Sequence, residues 1–365
     1  MQKAYCVPCL FSQGRTMSLK KAWLAVCLAS LPLVAQAQSA DLTSLIEAAK
    51  KEGRVDSVGM PDSWANWKDT WADLKTNYGL EHQDTDMSSA QEIAKFAAEK
   101  ENATADIGDV GQSFGPVAVD KGVTQAYKPT TWNEIPAWAK DKDGHWAVAY
   151  TGAIAFIINN DTVKNAPKSW KDLTSGTYKV TLGDVGVAAQ ANNAVLAAAV
   201  ALGGNEKNVT PALELFGELA RQKRLSLSNP TLATLEKGEV EVGVLWDFNA
   251  LNYRDQIDPK RFTVVIPEDG SIMAGYATII NKYAKHPNAA KLAREYIFSD
   301  AGQNNLAKGY ARPIRDKVVL TEEAKARLLP AEAYKNVQPI KDQAAWDALS
   351  KKLPELMQEH VLIHQ

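Results

Sequence analysis

A chain of 365 residues is longer than one ordinary domain of roughly 100 to 200 residues needs, which points to two lobes with ample core. Apolar residues at 45%, charged residues at 23% and ten tryptophans exclude a disordered polymer. The near-balance of 41 basic against 43 acidic side chains excludes the basic field that holds a phosphate backbone, so nucleic acid is not an expected partner.

The three cysteines, Cys6, Cys9 and Cys27, all fall at the beginning, so the rest of the chain can form no disulfide and offers no thiol nucleophile. From Met17 the order is basic Lys20-Lys21, an apolar stretch Ala22 to Val34, and the small-residue site Ala35-Gln36-Ala37. That order predicts a secretory signal peptide within residues 1–37, with Met17 as the true start and an upstream mis-start before it. A retained anchor fits less well, because the apolar stretch is shorter than the ~20 residues a spanning helix needs and contains Pro32. Cleavage after Ala37 or Ala40 would release a soluble, more acidic periplasmic protein, since Lys3, Arg15, Lys20 and Lys21 leave with the leader.

Leu42, Leu45, Ile46 and Ala49 follow a helical period, with Gly53 just past its end. Arg54 to Met60 reads as a strand, and after Pro61-Asp62-Ser63 the residues Trp64, Trp67, Trp71, Leu74 and Tyr78 share a helical face. Ser89 and Glu92 have capping-box spacing ahead of Ile93, Phe96 and Ala97, and Ala105 to Val110 reads as a buried strand. Further strands are expected at Trp146 to Ile158, Tyr178 to Gly183, Val240 to Trp246, Phe262 to Ile266 and Ile272 to Ile280. The intervening helices are an alanine-rich Ala188 to Leu202, Leu213 to Gln222 and Ala289 to Phe298, with a closing helix Ala344 to Glu359 interrupted at Pro354. This βα alternation implies mostly parallel sheets covered on both faces. No Pro/Gly/Ser-rich seam separates two domains, so the apolar segments Ala147 to Asn159 and Ile272 to Asn281 are read as crossovers between lobes.

Gly111-Gln112-Ser113-Phe114-Gly115 is a literal G-x-S-x-G directly after a strand, as a serine hydrolase elbow requires. The short Pro116 to Lys121 segment behind it and the lack of an upstream glycine-rich oxyanion loop favour a plain glycine turn. The five histidines form no metal-ligand cluster in sequence, His360 and His364 having helical spacing but only Glu359 beside them; no metal and no cofactor are expected. Ligand binding has more support, because ligands of open α/β sheets sit beyond the carboxyl ends of strands. Polar and aromatic residues gather there: Trp64, Gln112 and Ser113, Asp184, then Trp246 and Asp247. An aromatic face beside a carboxylate suits an amine.

Leu45 to Gly53, Ala105 to Val110, Tyr150 to Ala155, Gly238 to Asp247 and Ser299 to Gln303 resemble family 1 extracellular solute-binding proteins of ABC importers. The similarity runs over essentially the whole mature chain, within the branch that includes binders of ferric iron, polyamines and phosphonate or phosphorylated compounds. It implies an α/β fold of two lobes closing on a solute at a hinge, a permease and ATPase as partners, and no enzymatic activity. The lobes are expected at residues 41–150 plus 271–312, and 151–270 plus 313–365, in a monomer. Ferric binders of that branch carry an adjacent tyrosine pair after the Trp246 strand, where this chain has only Tyr253. Polyamine binders carry tryptophan and aspartate after a Pro-x-x-Gly turn, where Pro267 to Gly270 is followed here by Ala274 and Tyr276. Phosphate binders carry a hydroxyl run at the second-lobe helix start, where this chain has Asp184 to Ala188. By this elimination the expected solute is a small amine-bearing, polyamine-like or zwitterionic molecule held by Trp64, Gln112, Ser113, Asp184, Trp246, Asp247 and Tyr276. Ferric iron, a phosphonate or phosphorylated solute, and a secreted hydrolase remain the alternatives, with Arg254, Arg312 and Arg315 as the counter-weight for an anion.

Overall fold

The computed structural model describes residues 31–364, so most of the expected leader, with all three cysteines, lies outside the described residues. The chain divides after Ser44 into two units, and the fold that follows is that of the second, which begins at Leu45. No helix among the described residues is long and apolar enough to cross a membrane.

In chain order the first half runs α1 (Leu31–Glu52), β1 (Arg54–Val58), α2 (Trp67–Tyr78), β2 (Glu81–Thr85), α3 (Ser89–Glu99), β3 (Ile107–Gly111), α4 (Phe114–Asp120) and β4 (Thr124–Gln125). The long β5 (Trp146–Asn159) leads into α5 (Asp172–Ser175), β6 (Val180–Thr181), α6 (Ala189–Ala201), α7 (Thr210–Arg221), β7 (Leu225–Ser226), α8 (Leu232–Glu236), β8 (Val242–Trp246), α9 (Asp247–Ile257) and β9 (Phe262–Val265). The chain returns through β10 (Ser271–Asn281), α10 (Pro287–Ile297), α11 (Asp300–Lys308) and β11 (Arg312–Pro313), then finishes with α12 (Glu322–Arg327), β12 (Val337–Pro339), α13 (Gln343–Ser350) and α14 (Leu353–His360).

The strands lie in the order β2-β1-β3-β10-β5-β8-β6-β7, with β4 and β12 also on β10, and β9 and β11 also on β5. The sheet is mixed. Parallel pairs build its two outer ends, β2-β1-β3 and β8-β6-β7, as βα alternation dictates. Both long strands run antiparallel to each other and to their other neighbours, apart from the short parallel pair β10-β12. Parallel pairing is therefore less general than the sequence suggests, because β5 and β10 return the chain between sheet portions instead of extending either one. In β5, residues up to Ala153 pair with β10, whereas Ile154 onward pairs with β8, so one strand carries the chain from one portion to the other. Thirteen of its 14 residues are buried, as a strand covered on both faces must be.

Two local readings shift. The capping box of α3 is Ser88 with Gln91, one residue earlier than Ser89 with Glu92, and this register frees Glu92 to turn inward. Pro354 does interrupt the closing helix: it sits in the first turn of α14, where its missing N–H costs nothing, and Ser350 ends α13 ahead of it.

Candidate functional site

A cleft of about 480 Å³ opens where β1 and β3 end and where α3 and α6 begin. Its first wall grows from the turn after β1. Gly59 takes φ 68° there, and a Cβ at that position would stand 2.4 Å from a Glu92 carboxylate oxygen; at Gly108 it would stand 2.6 Å from the other. Two glycines thus make room for one buried acid. Glu92 Oε2 accepts the Asp109 N–H at 3.1 Å. Burial, together with neighbouring Asp109, holds the Glu92 carboxyl well above the usual range. Burial likewise pushes Asp109 up to about 8, opposed by its hydrogen bond from Tyr150, and pushes Asp84 up to about 6 against bonds from Ser57 and Met60 N–H. Asp86 stands exposed at the rim.

An aromatic group backs these acids. The Trp64 indole donates to the Tyr150 hydroxyl at 2.7 Å, and that hydroxyl donates to Asp109 Oδ2 at 2.5 Å. Tyr150 and Tyr276 face each other in the β5–β10 register with rings stacked at 5.9 Å, and Trp64 meets Tyr276 edge-on at 5.3 Å. Across the cleft, α6 presents Ala188, Ala189 and Gln190 with no side-chain cap and no acid in its first turn, so its N-terminal N–H groups and dipole are open to a negative group. Asn229, Thr231 and Tyr253 complete that wall. Carboxylates line the cleft, and among the described residues no Lys, Arg or His does.

The structure brings two of the seven expected residues, Trp64 and Tyr276, to this cleft. Asp184 is exposed near its edge, where its N–H donates to Asn229 at 3.0 Å. Gln112 is buried, its N–H on Gly275 and its side chain on the Trp138 carbonyl. Ser113 borders a different groove, beside Asp347 and Lys351. It has ordinary helical backbone angles, φ −64° and ψ −19°, and no histidine lines that groove, so neither strain nor base marks a nucleophile elbow.

Trp246 and Asp247 are wholly buried. The Trp246 indole donates to the Tyr276 hydroxyl at 3.1 Å, one layer behind the cleft. Asp247 accepts the Ala153 N–H at 3.0 Å, the Phe248 N–H at 2.8 Å and the Tyr334 hydroxyl at 2.5 Å. Burial raises its carboxyl to about 6 against those bonds, and its place is at the point where β5 changes neighbours. None of the three arginines lines the cleft: Arg254 bonds Asp255, Arg315 bonds Glu134 and Asp300, and Arg312 stacks 4.1 Å over the Tyr334 ring with its Nη1 buried and without a hydrogen-bond partner.

Glu92, Asp109 and Asp86 escaped the sequence reading, which had weighed the start of α6 only as lacking the hydroxyl run of phosphate binders. Asp109 stood inside a stretch that carried the family resemblance but read as buried strand, and Glu92 read as a capping partner. Among the described residues a grouping with metal-ligand proximity, Asp56, Asp106 and His286, lies outside the cleft. There Asp106 accepts the N–H of Asp56 and the N–H and ring of His286, a bracket that ties β1 to the start of α10.

Residues 102–344 match the model of the bacterial extracellular solute-binding protein family, and the chain belongs to that family. Its members, and the structures it resembles, are binding proteins and not enzymes, which decides against the hydrolase. The Sinorhizobium fredii protein named "Probable ABC transporter periplasmic-binding protein y4fP" is 27% identical over 73% of this chain and 74% of its own length. An uncharacterized Haemophilus influenzae protein is 28% identical over 59% of this chain, which spans 64% of that relative. The fold is that of periplasmic binding protein AfuA from Actinobacillus pleuropneumoniae, solved with fructose-6-phosphate (TM-score 0.65, 19% identity, 84% of this chain and 98% of that one). It is also that of a ferric binding protein from Campylobacter jejuni (TM-score 0.61, 19% identity, 84% and 98%).

Proposed function

We propose that the protein captures a small amine-bearing or zwitterionic solute in the cleft and, in the periplasm after leader cleavage, delivers it to an ABC permease driven by its ATPase. The lobes of this reading are residues 41–150 plus 271–312, and 151–270 plus 313–365, with β5 and β10 as the connecting strands. The observation that carries the solute class is the cleft lining: Asp86, Glu92 and Asp109 face it without a basic side chain. An ammonium group answers that imbalance, with Trp64 and Tyr276 as neighbouring aromatic faces. The uncapped start of α6 receives a carboxylate or other acid at the far end of the same molecule. Phosphate and sulfate answer only the second feature and meet repulsion from the first as those carboxyls ionise. Ferric iron would use Tyr253 and Tyr276, which both line the cleft, but burial pushes both phenols up and so resists phenolate formation.

Affinity against pH tests this. An ammonium group draws the proton from a carboxyl titrating near 8, so amine affinity should rise between pH 6 and 8. A bound oxyanion gives the opposite slope, because ionising the same wall repels it. A calorimetric panel of diamines, amino acids, aminophosphonates, sugar phosphates, sulfate and ferric citrate at both pH values reads both the class and the sign. Tight sugar phosphate or sulfate binding that weakens with pH overturns the reading.

A further inference from the structure

Tyr150 occupies a singular place: it belongs to the crossover strand β5, yet its hydroxyl reaches the cleft wall through two partners. The hydroxyl has one proton to give and accepts with its lone pairs. Trp64 is a donor only, so its indole bonds Tyr150 at a lone pair, and toward the ionised Asp109 carboxylate, which cannot donate, the Tyr150 proton goes to Oδ2. Asp109 Oδ1 has no hydrogen-bond partner; Trp67 Nε1 lies near enough to influence this carboxylate without reaching hydrogen-bond geometry. Among the described residues the Tyr150 hydroxyl is therefore the one side-chain donor in hydrogen-bond geometry that fixes the orientation of the Asp109 carboxylate, while Tyr276 stacks on the Tyr150 ring and holds it in place.

We infer that Tyr150 is the positioning residue of the cleft: with its hydroxyl fixed by Trp64, it sets how the Asp109 carboxylate is presented to the cationic group of a solute. This rests on the amine reading for its ligand, but not for its geometry. The groups that face Asp109 are Glu92 from α3, Asp84 from β2, Tyr150 from β5, Tyr276 from β10 and Trp67 from α2, with Asp86 farther out on the rim. All the charged ones are acids and oppose ionisation. Tyr150 favours it, since a hydrogen bond to a carboxylate stabilises the charged form.

The test is a carboxyl carbon-13 NMR titration of the aspartate-labelled full protein without solute, the Asp109 signal being assigned by its loss in Asp109→Asn. Tyr150→Phe, which keeps the ring and its stack, should move the Asp109 midpoint up by roughly one pH unit or more. Trp64→Phe should move it the same way by less, because it weakens the Tyr150 donor without removing it. A midpoint unmoved or lowered in Tyr150→Phe overturns the assignment. A second arm measures 1,4-diaminobutane binding at pH 7, where each unit of upward shift should cost roughly tenfold in affinity. If diaminobutane fails to bind the wild-type protein, the amine reading loses that arm, whereas the solute-free titration still decides the role of Tyr150.

Discussion

Asp109 links the chemistry of the cleft to the stability of the molecule. Its folded carboxyl titrates near 8 against an ordinary value of 3.8, mainly because it is buried. Between those values the unfolded chain has lost a proton that the folded chain keeps, so its contribution to stability is present below the lower value and is lost as pH rises toward the upper one. Glu92, Asp84 and Asp247 shift in the same direction. The solute-free protein should therefore lose melting temperature from pH 5 to pH 8, and Asp109→Asn, which cannot ionise, should flatten that decline in a differential scanning calorimetry series. A variant whose slope matches the wild type would show that Asp109 is not the group responsible. Trp64 and Tyr276, which line the cleft, were both named from the sequence, Trp64 from its place after a strand and Tyr276 from its place after the Pro-x-x-Gly turn in the crossover segment. Glu92 was not, because its inward turn depends on α3 beginning one residue earlier than the Ser/Glu spacing suggests. Trp246 and Asp247 were legible as belonging near the site, but a strand end does not reveal how deep a side chain lies, and the first turn of α9 takes Asp247 to the crossover strand.

Elements were legible where periodicity and composition act alone. The alanine run of α6 marks a helix buried almost all round, and Pro354 marks the break before α14. The two-residue strands β6, β7 and β11 were less visible, since their pairing depends on distant partners more than on local pattern. Helix α10 shows a feature the sequence does not announce. Its Arg294 is fully buried and donates to the carbonyls of Tyr127, Gly144 and Thr278, and burial lowers its guanidinium to about 9, still charged at neutral pH. Those carbonyls belong to the segment ahead of β5 and to β10, so one side chain fastens α10 to both. Arg294→Met fills similar volume but removes the guanidinium from all three carbonyls, of which that of Gly144 keeps a second donor, the Tyr127 N–H. It should cost about 3 kcal/mol or more in urea unfolding, given about 1 to 3 kcal/mol for each buried group left unpaired. A loss under about 1 kcal/mol would mean that water or another donor replaces the guanidinium.

At the scale of the molecule, the two sheet portions meet in contacts that side-chain size controls. Gly111, at the end of β3, approaches α6 so closely that a Cβ there would stand 2.2 Å from the Ala189 Cβ, a separation no pair of side chains tolerates. Close by, Asn252 of α9 donates to the Ser63 carbonyl at 2.6 Å, and Trp64 packs edge-on to Phe248 at 5.6 Å, both joining the turn after β1 to the second portion. Under the proposed lobe division the connecting strand is β5, which Asp247 holds at Ala153, where its pairing changes hands. A solute closes such a molecule only through contacts that differ between open and closed states. If the β3–α6 contact belongs to the closed state, Gly111→Val removes its fit while leaving the backbone pairing of Gly111 with Tyr276 in place. The variant should keep a melting temperature near the wild type, bind solute at least tenfold more weakly, and show a larger radius of gyration by small-angle scattering that solute fails to reduce. If Gly111→Val compacts on solute as the wild type does, the β3–α6 contact is not part of closure, and the moving joint must lie on the other side of the cleft.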